Sequence, residues 1–123
     1  MNVDSDLLKL LMEIGFIATN TGRLGEAETI FGGLTKVRPS SGYPRIGLGC
    51  VAMGRGDFSK AANILRSTPT QEKKERDLCQ GFLGMALKLG GYEDEYRSVL
   101  NQLIADGENE VAIRMAEKLM EIA

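Results

Sequence analysis

The side chains that carry most protein chemistry are scarce in this chain of 123 residues. There is no histidine, which removes the commonest general base and metal ligand, and with them most nucleophilic triads and zinc sites. Two cysteines, Cys50 and Cys79, are too few for a disulfide framework. Both read as reduced, small, buried or half-buried side chains. The acidic cluster Glu93-Asp94-Glu95 has no matched second cluster for metal binding or acid catalysis. At a helix start its charges simply favour the helix dipole. Gly47-Leu48-Gly49-Cys50-Val51-Ala52 has the look of a dinucleotide fingerprint, but no strand precedes it and no strand–helix–strand unit surrounds it. Arg55-Gly56-Asp57 has the form of an integrin-binding tripeptide, but it falls between two helical patterns and makes the turn there. The sequence therefore predicts no catalytic residue, no cofactor and no metal. What its residue types offer is apolar contact surface.

Composition narrows the field further. The 15 Lys and Arg residues against 17 Asp and Glu give a net charge of −2, which argues against a general nucleic-acid binder. A hydrophobic fraction of 43% is enough for one packed domain and too much for a disordered chain. No apolar run approaches the roughly 18 residues needed to span a bilayer. The first residues, MNVDSDLLKLLMEIG, are acidic where a secretory signal is basic, so a cytosolic protein without membrane insertion is expected.

Strand signals are almost missing, and apolar residues recur at helical spacing instead. Leu7, Leu8, Leu11, Ile14, Phe16 and Ala18 do so early; Val111, Met115, Ala116, Leu119 and Ile122 do so late. Between the breaks at Asn20-Thr-Gly, Arg38-Pro-Ser-Ser-Gly, Gly54-Arg-Gly-Asp, Pro69, Gly90-Gly and Asp106-Gly, seven helices fit. They cover about 5–20, 24–37, 43–54, 58–67, 73–89, 93–105 and 108–122. The charge run Lys73-Lys74-Glu75-Arg76 is expected to be a solvated helix start.

An internal repeat organises these helices. Ile14-Gly15, Leu48-Gly49 and Leu83-Gly84 recur at intervals of 34 and 35 residues. Seven residues after each comes Gly22, Gly56 or Gly91; then Ala27, Ala61 or Tyr96; then Phe31, Leu65 or Leu100. Pro39 closes the first unit. This pattern resembles the tetratricopeptide repeat, whose period is 34 residues. The resemblance implies an all-α fold: three helix hairpins in a short right-handed solenoid, repeats at about 8–41, 42–75 and 76–107, and a closing helix at about 108–122, all one domain over 1–123. Gly15, Gly49 and Gly84 mark close helix crossings, and Gly22, Gly56 and Gly91 end the first helix of each pair. Pro39 stops the second helix and Pro44 can start the third. Tyr96, where the other units have alanine, predicts looser or shifted packing in the third unit.

In such a stack, Leu11, Ile14 and Ala18 pack inside, and the other side of each first helix lines a concave face. Counted from the repeat glycines, the lining positions are Lys9, Met12, Phe16 and Thr19, then Tyr43, Ile46, Cys50 and Met53, then Leu78, Gly81, Met85 and Lys88. Met12, Phe16, Thr19, Tyr43, Ile46, Cys50, Met53, Leu78 and Met85 are the expected partner-binding groove. Lys9 and Lys88 rim it with their charges in water. The methionines suit an adaptable surface for an amphipathic helix. The Lys and Asn positions that grip acidic chaperone tails in related domains hold Met12 and Phe16 here, so an anion clamp is not expected.

The short length, the three repeats, the closing helix, the slight acidity and the apolar groove are together similar to the small tetratricopeptide chaperones of bacterial type III secretion systems, most of all the needle-subunit chaperone. That resemblance implies a bacterial cytosolic, non-enzymatic protein. Its groove would hold the amphipathic C-terminal helix of the needle subunit and prevent premature polymerisation. A second small helical co-chaperone would sit near the N-terminal repeat. A chaperone of the translocator proteins and a general tetratricopeptide adaptor are the alternatives.

Overall fold

The computed structural model describes residues 5–70 and 72–122, and every regular element in them is a helix. They are α1 (Ser5–Asn20), α2 (Leu24–Val37), α3 (Tyr43–Gly54), α4 (Phe58–Arg66), α5 (Lys73–Leu89), α6 (Glu93–Asp106) and α7 (Glu110–Glu121). The expected boundaries agree within a residue or two. Helix α2 stops short of Pro39, and Pro44 sits in the first turn of α3, where its missing N–H leaves no bond unmade.

The turns inside the hairpins share one geometry. Gly22, Gly56 and Gly91 have φ of 80°, 77° and 82°, a region that glycine enters without a Cβ penalty. The N–H of the residue after each glycine donates to the carbonyl five residues earlier: Arg23 to Ala18, Asp57 to Ala52 and Tyr92 to Leu87. These bonds satisfy carbonyls that a helix end otherwise leaves open.

Each helix packs against its chain neighbour, and α1, α3, α5 and α7 also lie side by side in a row. Helices α2, α4 and α6 seat between successive members of that row. The repeat glycines explain how close the hairpins come. A Cβ on Gly15 would stand 2.7 Å from the Phe31 ring, and one on Gly49 would stand 3.0 Å from Leu65. One on Gly84 would run into Leu100. In all three pairs the partner lies sixteen residues on. Phe31, Leu65 and Leu100 are at most 3% exposed, as are Ala27 and Ala61. Gly47 adds a contact the repeat does not announce, because its Cβ would stand 2.5 Å from Phe31. The Phe31 ring is thus inserted between α1 and α3.

Two buried carboxylates tie the row together. Glu75 accepts from the Gly42 N–H at 2.5 Å, just before α3. The run around it is therefore only partly solvated, with Lys74 and Arg76 exposed and Glu75 buried. Asp77, 3% exposed, accepts from the N–H groups of Glu108 (2.6 Å) and Asn109 (3.0 Å) and from the Lys73 ammonium (2.6 Å). Asn109 in turn caps α7 by accepting from Val111 and Ala112. At the other end of α7, Lys88 donates to the carbonyls of Leu119 and Ile122. Lys88 is therefore a clamp for α7, not the water-facing rim lysine that its register suggested. Tyr96 also departs from the looser packing expected. It is 5% exposed, with Lys88 and Arg97 over its ring at 5.0 and 5.3 Å.

Gly84→Ala is expected to destabilise the chain by about 1–3 kcal/mol through overpacking against Leu100. Gly33→Ala lies in α2, where a Cβ meets nothing within 4 Å, and is expected to stabilise by about 0.5–1 kcal/mol. Chemical denaturation of the two variants checks the opposite signs. Burial alone would push the Asp77 carboxyl up, but the Lys73 ammonium and the two N–H donors outweigh it and hold it below the ordinary carboxylate value. A depressed carboxyl stabilises the fold above its unfolded value, and that stability disappears as pH falls through the folded value. The stability gap between the wild-type chain and Asp77→Asn is thus expected to be open at pH 7 and to narrow below about pH 4. Denaturation curves at pH 7, 5 and 3 measure it.

Candidate functional site

A large apolar recess lies where α1, the end of α2 and the start of α3 meet. It is a cleft of about 770 Å³ walled by Leu8 and Met12 of α1, Leu34 of α2, and Tyr43 and Pro44 of α3. Lys9, Glu13, Arg38 and Ser41 stand on its rim. Leu34 continues the face of α2 that carries Phe31, so its buried side chain forms the floor where the core gives way to the recess. Tyr43 is 44% exposed. Burial, aided by the negative charges of Glu75 and Glu72, raises its phenol above the ordinary value, so at neutral pH the hydroxyl is a neutral donor and acceptor.

Among the nine expected groove residues, Met12 and Tyr43 wall this cleft. Phe16, Thr19, Cys50, Met53, Leu78 and Met85 are half-buried. Phe16 packs edge-to-face on Phe31 with ring centroids 5.0 Å apart, and the Thr19 hydroxyl donates to the Gly15 carbonyl. Cys50, Met53 and Leu78 pack against the core between α3 and α5. Ile46 is a correction: it is 2% exposed and belongs to that core, because α5 lies over the side of α3 that α1 leaves open. Gly81 is likewise covered, since a Cβ there would stand 2.8 Å from Met115 Sδ of α7. The expected continuous groove is thus divided. Its α1 end is open, its middle is sealed by Ile46, and its third station is occupied by the chain's own α7.

Ile14 is the second correction. Expected inside the stack, it is 41% exposed, together with Leu7 (45%), Leu10 (51%) and Ile17 (62%). These four recur at intervals of three, four and three residues and form one stripe on α1. No helix among the described residues covers that side, because α2 and α3 are the elements packed against α1. The heptad spacing is visible in the sequence, but the repeat register points Ile14 inward with Leu11 and Ala18, which hides the stripe. Leu8, Leu34 and Pro44 were also missed as cleft walls, since the register ranks positions within a helix and not those at a helix end.

The remaining motifs are structurally committed. Arg55 pairs with Glu28 at 2.7 Å, and this bond holds the Glu28 carboxyl below its usual value. Asp57 caps α4 by accepting from the Lys60 N–H. Both halves of the Arg55-Gly56-Asp57 tripeptide therefore serve the turn. Among the described residues, no group of three or more His, Cys, Asp or Glu side chains could hold a metal ion, and no helix is long and apolar enough to cross a membrane. Comparison of the chain with protein-family models, with curated proteins and with solved structures finds no match.

Burial pushes the thiols of Cys50 and Cys79 up to about 11. With so little thiolate at neutral pH, both are expected to react with iodoacetamide at pH 7.5 many times more slowly than in the chain unfolded by guanidinium. Timed alkylation followed by intact mass measures the ratio.

Proposed function

We propose that this chain binds an amphipathic helix of another protein, burying the apolar face of that helix in the cleft between α1 and α3. The carrying observation is α1 itself. It presents apolar residues on two sides, and neither side is fully covered by the described residues. A helix that is apolar over most of its surface belongs in an interior, and a helix from a partner would supply the cover that the described residues do not. Covering about 500 Å² of apolar surface would contribute about 12 kcal/mol gross, before ordering costs take their share.

We further propose that the architecture is tetratricopeptide-like and that the chain acts as a type III secretion chaperone of the needle subunit. Three things support this. The glycine contacts and positive-φ turns recur every 34 or 35 residues. Alternate helices lie side by side in a row. The outer stripe of α1 offers a second apolar surface at the N-terminal repeat, where the resemblance expects a small helical co-chaperone. Function is then by covering, not by turnover. A subunit whose C-terminal helix is held in the cleft lacks the surface it needs to polymerise.

Tagged protein purified from its native cell is expected to retain a small protein ending in an amphipathic helix, identified by mass spectrometry. Met12→Asp is expected to lose that protein at least tenfold with the helical circular dichroism unchanged, and Tyr43→Ala to weaken it. Ile17→Asp is expected to lose a different small helical protein and keep the first. If Met12→Asp and Tyr43→Ala retain everything the wild-type chain retains, the cleft is not the binding site.

A further inference from the structure

We infer that two copies of this chain pair through the outer faces of their α1 helices, antiparallel about a two-fold axis that passes between Leu10 and Ile14. The pairing does not depend on what the cleft holds, because Leu8 and Met12 wall the cleft from the other side of α1.

The chain shows what covers this face where it is covered. Moved on by the repeat interval, Leu10, Ile14 and Ile17 become Pro44, Leu48 and Val51 on α3, and Cys79, Leu83 and Ala86 on α5. On α3, Pro44 and Val51 are buried and Leu48 is half-buried, and Leu48 and Val51 pack with Ala27, Phe31 and Leu34 of α2. On α5 all three are at most 5% exposed and pack with Ala61, Ala62 and Leu65 of α4. In both cases the cover is the preceding helix, laid antiparallel. Leu24 at the start of α2 lies against Gly54 at the end of α3, and Thr68 just past α4 meets Glu75 near the start of α5 at Gly42. No helix among the described residues does this for α1, where Leu10, Ile14 and Ile17 stay exposed.

The face on α1 differs from its two internal copies at one position, and that position selects the occupant. Where α3 has Gly47 under the Phe31 ring and α5 has Phe82, α1 has Glu13, exposed beside the stripe. A cover built like α2 would bury that carboxylate without a counter-charge. A second α1 supplies one. The stripe is symmetric about its midpoint, so in an antiparallel pair Leu10 stands level with Ile14 of the second copy, and Leu7 with Ile17. In that register Lys9 of one copy and Glu13 of the other come within two residues of level, about 3 Å along the axis. Asp6 and Asn20 of opposite copies do the same. Across the axis the seam then runs lysine, glutamate, glutamate, lysine, with each carboxylate beside an ammonium of the other copy. A parallel pair would instead set Asp6, Lys9 and Glu13 each level with its own like. The antiparallel contact is the same patch on both copies, so it closes at two chains. One helix face on each side makes a small interface and a weak one, with Kd on the order of tens of micromolar.

Sedimentation velocity of the purified full chain, alone, over about 2 to 500 μM tests the pairing across that range of affinity. The wild-type chain is expected to pass from monomer to dimer and stop there. Ile14→Asp and Leu10→Asp are each expected to weaken pairing at least tenfold with the helical circular dichroism unchanged, and Met12→Asp, on the cleft side, to leave it unchanged. At low salt Glu13→Lys and Lys9→Glu are each expected to weaken it about tenfold, because symmetry repeats the repulsive pair. The double variant Lys9→Glu/Glu13→Lys is expected to recover to within about threefold of wild type. A chain that stays monomeric at every concentration would overturn the pairing; if that chain still retains from cells the small protein that Ile17→Asp loses, that protein is the cover instead. Undiminished pairing in both stripe variants, or pairing lost in Met12→Asp alone, would place the contact elsewhere and overturn it. Failure of the double variant to recover would overturn the antiparallel register, and assembly beyond two chains would overturn the two-fold axis.

Discussion

The close approach of a large side chain to a bare helix position governs this molecule. Where a helix lacks a Cβ, a neighbour can seat an aromatic or leucine side chain directly on its backbone. The contact then gains dispersion and burial that a spaced crossing would forfeit. Phe31 does this twice, on Gly15 of α1 and on Gly47 of α3. It therefore fixes the separation of the two helices that wall the cleft. Phe16 closes the first side by meeting the Phe31 ring edge-on. The recess begins where this wedge ends. Leu34, about one turn further along α2, is the last buried residue on that face, and Arg38 has reached the rim.

The two ends of the row are treated differently. At the C-terminal end, α7 lies along α5 and is held at both ends by charged groups: Asp77 at its start and Lys88 at its finish. Its Met115 enters the space that Gly81 leaves, and Ala112 and Ala116 are fully buried. Terminal elements of a stacked array need such a cover, because each unit otherwise shows its neighbour's contact surface to water. At the other end, α1 keeps Leu7, Leu10, Ile14 and Ile17 exposed. The asymmetry separates a surface closed by α7 from one that no helix among the described residues covers.

Periodicity made the helices legible, and the glycine register made the hairpins legible, since both follow from local geometry. Environment was harder to read, and the position three residues before each repeat glycine shows why. Met12 faces the open cleft, Ile46 is sealed beneath α5, and Gly81 lies under Met115. The same register supplies the same direction in all three, but what lies in that direction depends on which helix comes next. Lys88 illustrates the same limit. The register points it to water, yet its ammonium meets α7 carbonyls because α7 packs against α5. Cys50 and Met53 were legible as apolar positions on α3, but not as members of the core that α5 completes.

For the proposed binding function, the arrangement of polar residues on α1 sets how many partners the surface could serve. Around the helix, the exposed Asp6, Lys9, Glu13 and Asn20 form a seam between the cleft side, with Leu8 and Met12, and the outer stripe of Leu7, Leu10, Ile14 and Ile17. A single bound helix cannot cover both surfaces without burying that seam, and burying three charges without partners costs far more than the added apolar contact returns. The seam also divides the exposed apolar area of α1 into two patches, each smaller than the whole, which limits indiscriminate association of the free chain. The two surfaces are therefore separable by construction. In the proposed binding function, occupancy of the cleft would leave the outer stripe open, and a partner on the outer stripe would leave the cleft accessible from its other side.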